Sequence, residues 1–295
     1  MNLEDVVRDT FSFLVETAVT RVPRDVYEAI VRAAEREEGA ARMAMEAIAE
    51  AVRVGIREKR PVCQDTGLPM FFLRIGEGFP LKAGLGAIAR EVVAEATKRG
   101  ILRPNAVHPF TNRNTGDNTG RFVPWIDYEV VEGDSLEVTF AVKGGGSEAP
   151  SALYMVSPSR GVEGLRRAVL KAVYDAGPRP CPPTIVGVGV GATAEMAMRL
   201  AKRALFMRRM GERSDDPRVA ELEERLLNEV NRLGIGPMGF GGRTTVLDLR
   251  IEYGCRHPAT FAVAIIFNCW ALRKASATIG SSGSVSYDPN EVWGL

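Results

Sequence analysis

Histidine is scarce in this chain of 295 residues: only His108 and His257 are present, so any chemistry that needs an imidazole has two choices. Cysteine is nearly as rare. Cys63, Cys181, Cys255 and Cys269 lie far apart and form no CxxC pair, which argues against zinc ribbons, thioredoxin chemistry and ferredoxin-type runs. No apolar run reaches the roughly 20 residues needed to span a bilayer, and Met1 to Asp9 is polar and acidic rather than basic and then apolar. A cytoplasmic protein is expected, and disulfides are not expected in that reducing compartment. Neither sign of charge dominates. The 38 Lys and Arg residues almost cancel the 37 Asp and Glu residues, leaving no global field to hold nucleic acid or an anionic membrane, so a small substrate is the simpler partner. Internal repeats and low-complexity linkers are also missing.

With 45% hydrophobic and 25% charged residues, the chain can bury one large core or two modest ones. Apolar residues recur at helical spacing in Leu3 to Arg21, in a segment opened by Pro23 that runs to Glu37, and in Ala40 to Glu58. They predict a helical N-terminal layer over about residues 1–60. The polar turn from Arg60 to Gly67 follows, then the strand-like Met70 to Ile75 and a helix over Leu81 to Lys98. Residues 103–121 are too rich in Pro, Asn, Thr and Gly for regular structure, and loops of that length are usually functional or disordered. Asp127 to Val131 and Ser135 to Val142 alternate and are joined by Glu132-Gly133-Asp134, which predicts a hairpin. Further on, helices are predicted over Val162 to Tyr174, Ala192 to Arg208 and Asp216 to Leu233. Strands are predicted over Thr184 to Val190, Thr245 to Tyr253 and Thr260 to Phe267. Helices and strands interleave to the end, so the reading is one mixed α/β unit over residues 1–295.

Three features could carry chemistry. Gly189-Val190-Gly191-Ala192-Thr193-Ala194 fits GxGxxA between a strand and a helix, as a dinucleotide-binding turn requires, but the acidic residue about 20 positions on is missing. The glycines more simply let strand and helix approach closely. The second feature is the cysteine set. Cys63 stands in a polar turn and Cys181 directly before Pro182, where a proline removes a backbone donor and fixes the turn. These thiols read either as small buried hydrophobes or as cluster ligands, because iron-sulfur clusters tolerate any sequence spacing. The third is Lys143-Gly144-Gly145-Gly146-Ser147-Glu148, where consecutive glycines can aim several N–H groups at one anion or simply make a flexible turn.

Six motifs stand in order along the chain: Cys63-Gln64-Asp65-Thr66-Gly67, Asn114-Thr115-Gly116-Asp117-Asn118-Thr119, Lys143 to Glu148, Cys181-Pro182-Pro183-Thr184, Gly236-Pro237-Met238-Gly239 and Asn268-Cys269. Together they resemble the α-type part of class I fumarases and L-tartrate dehydratases. The resemblance implies a mixed α/β fold, with the helical N-terminal layer packed on a mixed sheet and glycine-rich turns around a 4Fe-4S cluster. The positions that match its ligands are Cys63, Cys181 and Cys269, with one iron open to substrate. Cys255 falls outside the motifs. It further implies that Gln64 donates to a substrate carboxylate, that Asp65 takes part in proton transfer or orients the reacting hydroxyl, and that His257, which stands before Cys269 at the family's spacing, helps hold the substrate. His108 is left as a structural hydrogen-bonder. Arg113 and the Gly144, Gly145 and Gly146 nest are the natural carboxylate clamps, with Arg103 and Arg121 as competitors. Arg243 stands where a lysine is expected.

The activity implied is reversible hydration of fumarate to malate, with L-tartrate dehydration as the alternative. A separate β subunit would supply the catalytic base, in an assembly of two copies of each chain. Two readings from other classes are a cluster-bearing sensor without catalysis, which the intact Gln64, Asp65 and His257 oppose, and an NAD-dependent oxidoreductase resting on the Gly189 turn.

Overall fold

The computed structural model describes residues 2–294 as a mixed α/β protein. In chain order its elements are α1 (Leu3–Thr20), α2 (Arg24–Ala34), α3 (Gly39–Glu58), β1 (Leu68–Gly76), α4 (Leu85–Lys98), β2 (Trp125–Val131), β3 (Ser135–Lys143), α5 (Gly145–Glu148) and β4 (Ala152–Met155). Then follow α6 (Gly161–Ala176), β5 (Thr184–Gly191), α7 (Ala194–Met207), α8 (Pro217–Asn231), β6 (Val246–Tyr253), β7 (Ala262–Asn268), β8 (Lys274–Gly280) and β9 (Val285–Tyr287). Among the described residues no helix is long and apolar enough to cross a membrane.

The chain forms two compact units, one of Met1–Arg24, Ala51–Gly145 and Arg273–Leu295, the other of Asp25–Glu50 and Gly146–Leu272. Each is assembled from separated stretches of sequence, which is why no linker marks a boundary. The first unit holds a five-stranded sheet of order β2-β1-β3-β8-β9, against which α1 and α4 pack their apolar faces. Phe11, Phe71 and Phe140 stack in its core, with ring centroids 5.0 and 4.9 Å apart, and Leu14, Val15, Val93, Val138 and Ile279 close around them. Fully burying a side chain of this size contributes about 1.5–3 kcal/mol, and aromatic pairs add to that.

The predicted hairpin is not one. β1 lies between β2 and β3, parallel to the first and antiparallel to the second. Seven of its nine residues are buried, so hydrophobic burial puts it in the middle, while half-exposed β2 takes the edge. The Glu132-Gly133-Asp134 turn therefore arches over the end of β1. The arch is tight: a Cβ on Gly76 would stand 2.6 Å from the Gly133 carbonyl oxygen.

The second unit holds a four-stranded sheet of order β4-β7-β5-β6. All of β7 is buried, and α6 and α8 share a core with the sheet through Leu165, Val169, Val173, Leu226 and Val230. β5 runs straight into α7, whose N-terminus is capped by the Thr193 hydroxyl accepting from the Met196 N–H. Here the GxGxxA segment shows its purpose. A Cβ on Gly189 would stand 1.9 Å from the Ala197 carbonyl oxygen, and one on Gly187 would stand 2.2 Å from that of Ala201. The glycines let α7 lie directly on β5. We expect Gly189→Ala to lower the unfolding free energy by about 3 kcal/mol through overpacking, read as a fall in the midpoint of urea unfolding; an unchanged midpoint contradicts the close-packing role.

Candidate active site

The polar turn that enters β1 is fixed from several sides, all within the first unit. Asp65 Oδ1 accepts from the Gly67 N–H at 2.9 Å and from Asn105 Nδ2 at 3.0 Å, and Oδ2 accepts from the Gly145 N–H at 3.0 Å. A carboxylate offers about four lone-pair sites, so these donors leave one acceptor position, on Oδ2. The Asp65 backbone carbonyl accepts from Arg273 Nη1 at 2.5 Å. Arg273 is only 1% exposed and its Nε has no hydrogen-bond partner. A Cβ on Gly144 would stand 3.1 Å from Asp65 Oδ2 and 3.5 Å from Arg273 Nη2, so carboxylate and guanidinium approach the same small space, which only glycine leaves open. Gln64 beside them is exposed.

The loop over residues 103–121 reaches this turn through Arg103 and Asn105. The Arg103 N–H donates to Thr66 Oγ1 at 2.9 Å, and Asn105 reaches Asp65 as described. What shapes the loop is Asn118, fully buried at a left-handed φ of 58°. Its Oδ1 accepts from the Asn105 and Ala106 N–H groups at 2.7 and 3.0 Å, and its Nδ2 donates to the Arg103 carbonyl at 2.6 Å and to Thr97 Oγ1 at 3.2 Å. Of the three competing arginines, Arg103 is thus tied to the Asp65 turn. Arg113 stands at an exposed bend, where its carbonyl accepts from the His108 N–H at 2.8 Å. His108 Nδ1 accepts from the Phe110 N–H at 3.3 Å, a bond within that bend.

In the second unit the Trp270 N–H donates to the Cys181 carbonyl at 3.4 Å, joining the two motifs that carry Cys181 and Cys269. Cys181 has a left-handed φ of 53°, and the Met238 N–H donates to the Pro182 carbonyl at 2.8 Å, bringing the Gly236 to Gly239 motif to the same turn. The Cys269 thiol donates weakly to the Ala271 carbonyl at 3.8 Å. His257 is exposed in the turn after β6, and its Nδ1 accepts from the Ala259 N–H at 3.1 Å, which assigns the ring proton to Nε2. Cys255 is exposed in that turn. Arg243, the residue in place of a lysine, is anchored by its N–H to the buried Glu37 carboxylate at 3.0 Å, and its side chain reaches Glu38 at 3.4 Å.

The donor chemistry suits an iron-sulfur cluster. Cys63, Cys181 and Cys269 are partly buried thiols outside any disulfide, each on a turn rather than in a core, and thiolate is the soft ligand that iron-sulfur clusters take. Among the described residues no three His, Cys, Asp or Glu side chains are gathered as they would be about a single metal ion. Cys63 belongs to the first unit, Cys181 and Cys269 to the second.

Sequence reasoning missed Arg273, Asn105 and the role of Asn118. The only signal for Arg273 was its place four residues after Cys269; for Asn118, its membership of a quoted motif. We expect Asn118→Ala to strand the buried Ala106 N–H and the part-buried Asn105 N–H, to cost about 2 kcal/mol of stability and to speed hydrogen exchange at those two amides. Unaltered protection of those amides contradicts the role assigned to Asn118.

Comparison with known proteins agrees with these motifs. The family described as fumarate hydratase (Fumerase) matches residues 8–278. A Methanocaldococcus jannaschii protein named as a candidate L(+)-tartrate dehydratase subunit alpha is 41% identical over 280 residues, covering 93% of this chain and 96% of that one. The L(+)-tartrate dehydratase subunit alpha of Escherichia coli strain K12 is 37% identical over 262 residues, covering 88% of this chain and 86% of that one, and a Shigella sonnei protein of the same name matches to the same extent. The chain belongs to the fumarate hydratase (Fumerase) family.

Proposed function

We propose that this chain is the α subunit of a hydro-lyase that takes a small C4 dicarboxylic hydroxy acid, with L(+)-tartrate as its first substrate. The observation that carries the reading is the Asp65 turn, a carboxylate held by three N–H donors with one acceptor position left for a substrate hydroxyl. The choice of tartrate follows the names of the relatives, and reverses the sequence-based preference for fumarate. Malate and fumarate are the second reading, favoured by the family's description. The substrates differ by one hydroxyl, a difference that a site built to hydrogen-bond it can exploit strongly.

In this reading Cys63, Cys181 and Cys269 hold a 4Fe-4S cluster. When bound, such a cluster supplies a Lewis-acidic iron that polarises a leaving hydroxyl. The residues of this chain position the substrate. Asp65 accepts the hydrogen bond of a reacting hydroxyl at its remaining Oδ2 site and so orients it, with proton transfer through that site available to it. Gln64 donates to one carboxylate. A guanidinium clamps the other in a bidentate pair. Arg103 takes this role before Arg113, because its backbone is tied to Thr66. The glycine nest of Gly144, Gly145 and Gly146 contributes in part through Asp65, whose carboxylate the Gly145 N–H holds. His257 offers Nε2–H as a donor to the substrate. The catalytic base comes from a β subunit, in an assembly of two copies of each chain, and the cytoplasm is the reducing compartment that suits such a centre.

Anaerobic reconstitution tests this directly. Iron and sulfide should incorporate into the wild-type chain and into Cys255→Ser, and fall to background in Cys63→Ser, Cys181→Ser and Cys269→Ser. With the β subunit added, kcat/KM for L(+)-tartrate should exceed that for malate by about tenfold or more, the scale of losing one hydrogen-bonded hydroxyl. Cluster content that ignores the three cysteines overturns the ligand assignment; a preference for malate returns the fumarate reading.

A further inference from the structure

A cavity of about 480 Å³ opens in the first unit behind the Arg60 to Gly67 turn, and cations dominate its lining: Arg21, Lys59, Arg60 and Arg99, against the single carboxylate of Glu16. Glu16 is engaged by Arg99 at 2.8 Å, and Arg60 has Glu58 at 3.6 Å. Arg21 and Lys59 have no carboxylate partner among the described residues. Arg21 is the unusual member. It is 3% exposed, and it donates from Nη1 to the Trp293 carbonyl at 2.7 Å and from Nη2 to Thr20 Oγ1 at 3.4 Å, while its buried Nε has no partner. Burial pulls its pKa below the ordinary value, with no carboxylate to oppose the shift. Arg208, by contrast, suffers the same desolvation but is held above its ordinary value by Glu223 at 2.7 Å. A buried guanidinium with an open donor and no anion is costly unless something supplies the charge.

The geometry points to an anion site in this cavity: a small oxyanion of charge two or more, an inorganic phosphate or a free dicarboxylate, seated between the Arg21 guanidinium and the Lys59 ammonium. Guanidinium and ammonium donors are the usual partners of such groups. Lys59 is placed for the role by a left-handed φ of 52°, which turns the chain at the end of α3 and starts the segment that leads to Cys63. The Arg60 N–H donates to the Gly55 carbonyl and the Val62 N–H to the Val19 carbonyl, both at 3.0 Å, so the rim of the cavity is also the root of the Asp65 turn. Occupancy would brace that root. This goes beyond the hydro-lyase reading and does not rest on it.

The experiment is calorimetric titration of the full chain with inorganic phosphate, and separately with succinate, at fixed ionic strength, paired with thermal unfolding at each concentration. One saturable site is expected, with Kd on the order of 1 mM, and an unfolding midpoint that rises with ligand. Saturation by phosphate or by succinate identifies which source of the oxyanion fits. Lys59→Asn keeps a residue that tolerates the left-handed backbone and should weaken binding about tenfold, the loss of one charged hydrogen bond. Arg21→Met should abolish binding, and if that chain fails to fold, Lys59→Asn still decides. Arg90→Ala, at an exposed position of α4 outside the cavity lining, should bind like wild type. Absence of saturable binding, binding indifferent to Lys59→Asn, or binding lost in Arg90→Ala each overturns the proposal.

Discussion

The hydrogen bonds that converge on Asp65 are the constraint on which the rest of the first unit's chemistry depends. Its carboxylate and carbonyl are held by Gly67 from its own turn, Asn105 from the long loop, Gly145 from the end of β3 and Arg273 from the start of β8. Each donor comes from a different stretch of sequence. Any one bond contributes on the order of 1 kcal/mol, more where a charge takes part; together they give a polar turn one position rather than many. Burying Arg273 to obtain one of them leaves its Nε without a partner, a cost that a purely structural turn would have little reason to carry.

The sheet serves that arrangement. β1 sits in the middle of its sheet because it is apolar on both faces, and the turn at its head is thereby brought between β3 and the loop over residues 103–121. In the second unit the same logic places the Cys181 turn at the head of β5 and Cys269 at the end of β7, two strands that pair directly. The glycines that resemble a dinucleotide-binding turn lie in that same strand, and their function is to admit the backbone of α7.

What could be read from the sequence was what local periodicity encodes. The helices α1 to α4 and α6 to α8 and the strands β1, β5, β6 and β7 lie close to their expected places, because each has a long apolar pattern, whereas the four-residue α5 has none and was read as a turn. The pairing of β2 and β3 was misread, since alternation and a short turn also describe an arch around a third strand. β8 and β9 were missed because Lys274 to Gly280 is rich in Ala, Ser and Thr, and its burial comes from neighbours far away in the sequence. The site followed a similar division. Asp65 and the cysteines stand in motifs, whereas Asn105 and Arg273 matter through contacts 40 and 208 residues distant, which no local pattern records. The choice between tartrate and fumarate could not be read at all, because one hydroxyl is distinguished by a few side chains.

The central claim is that the Asp65 carboxylate orients the reacting group. Its most direct test is the steady-state kinetics of Asp65→Asn in the reconstituted chain with the proposed β subunit, measured alongside iron content. The substitution keeps the shape of the side chain and removes its charge. The account predicts a fall in kcat of about a hundredfold or more with iron content unchanged. A kcat equal to wild type at full iron loading would contradict it.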